Sequence, residues 1–489
     1  MSLVIAFVIF IASMIFMLIT GHSMVWALLI GLLLFTGIGL KQLKVKEDLT
    51  LGNSMKELST SSWGSIRDSL IVIEVMLIIG LITAAWRISG TITIFVYYGM
   101  KVIVPPLFLI IAFLLACLLS YALGTSFGVA GTVGVIFMAL ARSGGVDPLL
   151  TAGVLMSGIY FGDRASPVSS SANMVAGITK TEILTNVKLM MKTGLLPLAI
   201  TFAAYCVLSV LNPISHVDSA LMETFREEFT LSPWGFLPAI LMLALPLLKV
   251  GVIWAILISV VASGVIAFAV EHIPVLEICK VLIFGYHPAG EGLSAILEGG
   301  GLVSMIEIVI ILIISCAYSG IFNRTGMLEG LLSRITKCCR KIGRFATALL
   351  LGLASSVLFC NQTIATLMCN DLLTKPFLDT GGNQQELAID IENSTIVVVG
   401  LVPWAIACSV PLTFFGVGYG ALPWSFYLYL IPICYLFTKK RWFADKVPDA
   451  KAPSGQCVPA DGNCSHRPPQ RTDPDNPDTH PSHQPSAAR

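Results

Sequence analysis

The chain has 489 residues, 55% of them hydrophobic and only 12% charged, with a net charge of +1 and a mean hydropathy of +0.84. Soluble domains carry about 25% charged residues, so an ordinary soluble protein is excluded. The near-zero net charge gives no basis for a nucleic-acid partner, and the partner implied is the lipid bilayer.

Apolar runs follow one another near 3–20, 24–40, 69–86, 102–123, 193–211, 235–250, 251–270, 301–321, 346–360 and 411–438. Crossing the hydrocarbon takes about 17–25 apolar residues in a helix. Backbone in lipid must satisfy its own polar groups, so an all-α polytopic membrane bundle of about 10–12 spans is predicted. The first run lacks a basic leader and meets the second through Gly21-His22-Ser23, which favours a transmembrane hairpin over a signal peptide.

Basic residues set the expected orientation. Lys41, Lys44, Lys46, Lys56 and Arg67 follow the second run, Arg324, Arg334, Lys337, Arg340, Lys341 and Arg344 lie between later runs, and Lys439, Lys440 and Arg441 follow the last. These loops and both termini are predicted to be cytoplasmic, and the loop with Asp218, Glu223, Glu227 and Glu228 external. Beyond Asp449 the chain is rich in Pro, Asp, Ser and His, a composition expected to remain disordered. All cysteines but Cys457 and Cys464 lie in or beside apolar segments, so no disulfide framework is implied.

The organisation is a weak internal repeat. A first membrane half, 1–211, has small and polar interruptions near 119–135 and 162–175; a second, 212–440, has them near 354–370 and 390–405; a cytoplasmic tail covers 441–489. Paired broken segments point to inverted repeats with a binding site near the midplane.

Asp163 is the leading site residue. It lies in Gly162-Asp163-Arg164-Ala165-Ser166-Pro167-Val168-Ser169-Ser170-Ser171-Ala172-Asn173, directly after the apolar stretch 149–161. A carboxylate costs about 2.5–3.5 kcal/mol at a bilayer centre, so one among helix breakers and hydroxyls is read as handling a cation or proton. Its expected ligand is Na+, which favours oxygen donors; Ser166, Ser169, Ser170 and Asn173 are candidate supports, with Thr125 and Ser126 from the first glycine-rich interruption. Asn361, Gln362 and Thr363 are candidates from the second half. Asp390 and Glu392 form a second proton site, a gate or a loop-facing pair. Arg164 is either a charge partner in a local ion pair or a gating residue, and Gly124, Gly128 and Gly131 read first as packing residues. Glu74 and Glu307 are transport acids or side chains reaching the interface. No His-Glu-x-x-His motif is present, so neither an enzyme nor a cofactor is expected.

The Asp163 run, with Gly124-Thr125-Ser126-Phe127-Gly128, Glu392-Asn393-Ser394 and Leu401-Val402-Pro403-Trp404, resembles the NhaC-type sodium/proton antiporters of the ion transporter superfamily over roughly 1–440. The resemblance implies a bacterial inner-membrane secondary transporter that exchanges Na+ for H+ or, in some relatives, handles a small organic anion. A carrier coupling Na+ or H+ to a carboxylate or amino acid is the alternative. The chain departs from the family pattern in carrying Ser170 where a second acid is usual, Val397, Val398 and Val399 at hydroxyl positions, and Ala405 at a polar one. Fewer oxygen ligands are therefore expected.

Overall fold

The computed structural model describes residues 3–68, 70–102, 104–214, 219–248, 250–288, 291–327 and 339–443. The chain divides into units Met1–Val447 and Pro448–Arg489; the expected disordered tail, apart from its first three residues, lies outside the described residues, as do Asp218, Arg334 and Lys337.

The first helices are α1 (Leu3–Thr20), α2 (Met24–Glu47), α3 (Leu51–Asp68), α4 (Leu70–Ile88) and α5 (Thr91–Val102). Then come α6 (Phe108–Leu123), α7 (Ser126–Val129), α8 (Val135–Ser143), α9 (Pro148–Ala165), α10 (Ser170–Thr179) and α11 (Ile183–Leu211). A middle group contains α12 (Ser219–Glu228), α13 (Leu237–Leu247), α14 (Val252–Ala269), α15 (Val275–Phe284), α16 (Glu291–Leu297) and α17 (Ile306–Thr325). The last are α18 (Cys339–Ile342), α19 (Arg344–Phe359), α20 (Gln362–Asp379), α21 (Gln384–Glu392), α22 (Thr395–Val398), α23 (Ile406–Phe415) and α24 (Phe426–Trp442). Among the described residues, five helices are long and apolar enough to cross a membrane, two further pairs do so as bent units, and four shorter apolar helices accompany them. The protein is a polytopic helical bundle.

The elements around Asp163 are arranged by helix breaks. Helix α6 ends at Gly124, whose φ of +64° places it in the left-handed region and whose missing Cβ leaves room for the Val168 carbonyl carbon, 2.5 Å from where that atom would stand. Thr125 is extended and caps α7 through its hydroxyl, which accepts from the Gly128 amide. In the second half Cys360 (φ +57°) ends α19 in the same conformation, and Asn361 caps α20 by accepting from the Thr363 and Ile364 amides. A left-handed residue followed by a capped new helix reverses the chain.

Helices α6 and α9 run parallel, because Gly158 abuts Ala116 and Gly162 abuts Ser120 and Tyr121. The intervening α7–α8 segment therefore returns, making a hairpin whose tip is 124–126. Likewise Gly352 meets Thr395, the Trp404 indole donates to the Val357 carbonyl at 3.0 Å, and the Ile406 amide donates to the Cys360 carbonyl. Thus α19 runs with the α21–α23 segment, and α20 returns from a tip at 360–362. The open end of the first hairpin meets the end of α23, where Arg142 donates to the carbonyls of Phe415 and Gly416 at 2.6 and 3.1 Å. The open end of the second lies where Arg344 donates to the Thr380 carbonyl at 2.9 Å, at the far end of α19. The two hairpins therefore enter from opposite faces and meet tip to tip. Two of the apolar runs expected to be plain crossings, near 102–123 and 346–360, include limbs of these hairpins. The run 411–438 is interrupted by a 3-10 turn over Tyr419–Trp424.

A Cβ at position 162 would stand 2.0 Å from the Ser120 carbonyl carbon, so the neighbouring backbone would have to move. Overpacking typically costs about 1–3 kcal/mol, occasionally more. Gly162→Val should lower the yield of monodisperse protein in detergent chromatography by more than half. Unchanged yield and melting temperature would contradict this close packing.

Candidate ion-binding site

The two hairpin tips meet at Asp163, which occupies the last turn of α9 before the break at 166–169 and is 5% exposed. Gln362, the first residue of α20, donates from Nε2 to Asp163 Oδ2 at 3.3 Å and to the Ile396 carbonyl at 3.1 Å. The Ser126 amide and the Ser171 hydroxyl also lie against the carboxylate. Both hairpins and both interrupted helices thus supply a group within one contact of this acid.

The serines following Asp163 have distinct assignments. Ser169 caps α10, and its hydroxyl donates to the main-chain carbonyl of Asp163 at 2.5 Å; Ser171 donates to the same carbonyl at 2.7 Å. Ser166 donates to the Tyr121 carbonyl at 2.6 Å and accepts from the Val168 amide at 3.2 Å. Ser170, Asn173 and Thr363 are exposed or half-buried, and Asn173 donates to the carbonyls of Pro167 and Ser169. Thr125 and Asn361 are engaged as caps. The groups set against the Asp163 carboxylate are the Ser171 hydroxyl, the Ser126 amide and the Gln362 side-chain amide, which links it to the Ile396 carbonyl. Sequence reading passed over Ser171, although it stood in the motif; its i+8 spacing from Asp163 bridges the break.

Arg164 points elsewhere. Its guanidinium, 0% exposed, donates from Nε to Asn393 Oδ1 (2.9 Å), and through its terminal nitrogens to the Tyr427 hydroxyl (3.0 Å), the Met190 carbonyl (2.8 Å) and the Thr193 hydroxyl (3.2 Å). All four partners are neutral, so Arg164 does not form a hydrogen-bonded ion pair with its neighbour. Glu392 is also 0% exposed, and neither carboxylate oxygen has a hydrogen-bond partner among the described residues. It interacts electrostatically with Arg164 and Asp163. Two acids and one base therefore share a buried centre, where an unpaired ionised carboxylate is costly.

Asp390 belongs to a separate buried network. Lys439 Nζ lies 2.5 Å from Asp390 Oδ2 and 2.6 Å from Glu386 Oε1, Arg344 Nε lies 2.7 Å from Glu386 Oε1, and the Tyr435 hydroxyl donates to Asp390 Oδ1 at 3.0 Å. Glu386 and Asp390 share a face of α21 at i,i+4, and Tyr435 and Lys439 share one of α24. Sequence reading counted Arg344 and Lys439 as loop bases; they are 6% and 5% exposed and paired inside the bundle. The matched i,i+4 acids and base were the available signal.

Glu74 and Glu307 are both exposed, and Ser23 donates to Glu307 at 2.5 Å. The run Gly124–Gly128 has the spacing of a hydrolase nucleophile elbow, but that elbow is a strand-to-helix turn and here it joins two helices.

Interrupted helices, opposed hairpins and buried acids at their meeting point are the architecture of a multi-pass secondary transporter. The family model described as "Na+/H+ antiporter family" matches residues 158–439, and the chain belongs to this family. It is 26% identical over 394 residues to the Na(+)/H(+) antiporter NhaC of Bacillus subtilis (strain 168), covering 79% of this chain and 87% of that protein. The Malate-2H(+)/Na(+)-lactate antiporter of the same organism is 23% identical over 364 residues, covering 73% and 78%. The arginine/ornithine antiporter ArcD of Halobacterium salinarum is 26% identical over 374 residues, covering 72% and 75%.

Removing one member of a buried ion-pair network strands its partner at about 3–5 kcal/mol, whereas replacing a whole pair by apolar residues is often neutral. Lys439→Met should therefore lower the melting temperature in detergent markedly, and Lys439→Met with Asp390→Leu should recover most of the loss. A double variant no more stable than the single would contradict a paired unit.

Proposed function

We propose that Asp163 is the shared carrier of Na+ and H+ in an alternating-access exchange, with Ser171, Gln362 and the Ile396 carbonyl completing the cation's oxygen shell. The observation that carries this reading is the convergence of both hairpin tips on one buried carboxylate whose neighbouring arginine is satisfied by other groups. The carboxylate is left free to exchange one cation for another. Glu392 is the second acid of the centre: with both acids ionised and Arg164 positive, one excess negative charge remains, which a single Na+ or proton cancels. Competition at one acid makes exchange obligatory.

The organic-solute reading draws support from the malate/lactate and arginine/ornithine relatives. Arg164 does not favour it, because its guanidinium is already engaged by four neutral partners. The lysines Lys41, Lys44 and Lys46 at the end of α2, with the Lys440–Arg441 pair, support an orientation with both termini cytoplasmic, and the bacterial relatives support an inner-membrane location. In a cysteine-free background, a cysteine at Lys440 should react with impermeant reagents only from the cytoplasm and one at Glu223 only from outside. Labelling of both from one side would overturn the orientation.

In proteoliposomes with imposed Na+ and H+ gradients, Asp163→Asn should abolish Na+-driven proton movement while the protein remains folded and inserted, since an amide holds neither a proton nor a compensating charge. Asp163→Glu should retain partial activity with altered Na+ affinity, and Ser171→Ala should raise the half-saturating Na+ concentration several-fold. Normal exchange by Asp163→Asn would transfer the role to Glu392.

A further inference from the structure

A cavity of about 340 Å³ opens where the start of α1 and the end of α2 diverge, beside Met327, which follows α17. It is lined by Lys41, Gln42 and Lys46 and by the apolar side chains of Leu3, Ile38, Val45 and Met327. The same elements pack closely one turn deeper: the Phe7 and Phe35 ring centres are 4.9 Å apart where α1 meets α2, and a Cβ at Gly39 would stand 3.3 Å from Thr325 Cγ2 where α2 meets α17. On α2, Ile38, Lys41, Gln42, Val45 and Lys46 recur at the three- and four-residue intervals of one face, so two cations and an amide are presented to the same space. Lys44 is about a third of a turn away around the helix and does not line the cavity.

The charge in this space is positive and unmatched. The lining contains no acid, and neither Lys41 nor Lys46 forms an ion pair among the described residues. The adjacent acid, Glu47, is held through both carboxylate oxygens by Arg324 at 2.9 and 2.7 Å, and Glu57 accepts from the same guanidinium at 2.7 Å. The acids of this end are thus committed to Arg324. Gln42 Oε1 likewise accepts no hydrogen bond among the described residues.

The position decides the kind of anion. The apolar run of α2 ends at Leu40 and its lysines begin at Lys41, so the cavity sits where hydrocarbon gives way to headgroups. Ile30, Leu34 and Ile38 form the four-residue row that leads from the middle of α2 to Gln42 and Lys46; Ile30 is 38% exposed, and Leu34 and Ile38 are half-buried. Such a row gives an acyl chain an apolar surface to lie on. A free inorganic anion gains nothing from it, and a basic pocket at this depth between membrane helices suits an anionic lipid headgroup.

We propose that this cavity holds the headgroup of one anionic glycerophospholipid, with Lys41 and Lys46 on the phosphate, Gln42 accepting from a headgroup hydroxyl, and an acyl chain along Ile38, Leu34 and Ile30. Phosphatidylglycerol has the required features: a net negative charge, hydroxyl donors and acyl chains. The lipid joins the start of α1 to the ends of α2 and α17, and its site is separate from the Asp163 cation centre.

The test uses the full chain in detergent micelles, stripped of lipid and titrated with dioleoyl phosphatidylglycerol. Bound lipid is counted by native mass spectrometry, and thermal unfolding is followed in parallel. One retained phosphatidylglycerol and a saturable rise in melting temperature are expected, with dioleoyl phosphatidylcholine giving neither. Each lysine beside an anionic headgroup is worth about fivefold in affinity, so Lys41→Gln with Lys46→Gln should weaken retention about 30-fold. Lys44→Gln should leave retention unchanged. Gln42→Leu should narrow the preference for phosphatidylglycerol over phosphatidic acid, and an unchanged preference overturns the Gln42 contact. A loss in Lys44→Gln equal to that in Lys41→Gln overturns the site, because it shows diffuse attraction to a basic surface. Equal retention of phosphatidylcholine overturns the anionic assignment. If glycerol phosphate alone gives the same rise in melting temperature, dependent on Lys41 and Lys46, the ligand is a free phosphate and the lipid assignment is overturned. If the double lysine variant does not fold, Val45→Glu decides: this position is 76% exposed, an acid there should expel the lipid, and undiminished retention overturns the proposal.

Discussion

The structure depends on one constraint: a chain that unwinds inside a bilayer must find partners for every backbone group it frees. Around Asp163 most of the polar side chains meet that demand and do not face an ion. Ser120 is a clear case, since its hydroxyl donates to the Gly158 carbonyl at 3.0 Å and accepts from the Gly162 amide at 2.9 Å, joining α6 to α9 where the chains pass closest. Ser166, Ser169, Thr125 and Asn361 hold other freed groups. Once these are assigned, few polar side chains around Asp163 remain that are not engaged in holding the backbone.

The same constraint separates adjacent residues. Asp163 and Arg164 are consecutive on α9, so their side chains leave the helix about 100° apart. One is directed to the hairpin tips and the other to α11, α24 and Asn393. A direct ion pair would have cancelled both charges. Holding Arg164 on neutral donors and acceptors keeps its positive charge nearby, as a fixed part of the field around the two acids, while leaving the carboxylate open. Tyr427, at 0% exposure, and Thr193 are consequently as much a part of the centre's electrostatics as the charged residues are.

Helical class and multi-pass membrane character were legible in the sequence, because long apolar runs with few charges must satisfy their own backbone in lipid. The helices break at Gly124–Thr125, Ser166–Ser169 and Cys360–Asn361, where Gly, Pro, Ser or Asn interrupts apolar sequence. Two things were not legible. A hairpin limb and a full crossing have the same length and the same apolarity, so the tip-to-tip arrangement of α6–α8 and α19–α20 required the contacts of Gly162 and Gly352. Nor does a string of letters state where a side chain points, which is why Lys439, at the start of a basic cluster, reads as a loop base until Glu386 and Asp390 are found beside it.

The Glu386–Asp390–Lys439–Arg344 network gives the interrupted α21 a fixed end. Its four side chains come from α19, α21 and α24 and are 0–6% exposed. Two acids against two bases are neutral, so the network adds no net charge to the field at Asp163. The excess charge is confined to the turn that follows: Glu392 and Asn393 stand at the break, with Arg164 on one side and Gln362 bridging Asp163 to Ile396 on the other. One end of α21 is thus anchored by paired charges and the other ends in an acid without a hydrogen-bond partner among the described residues.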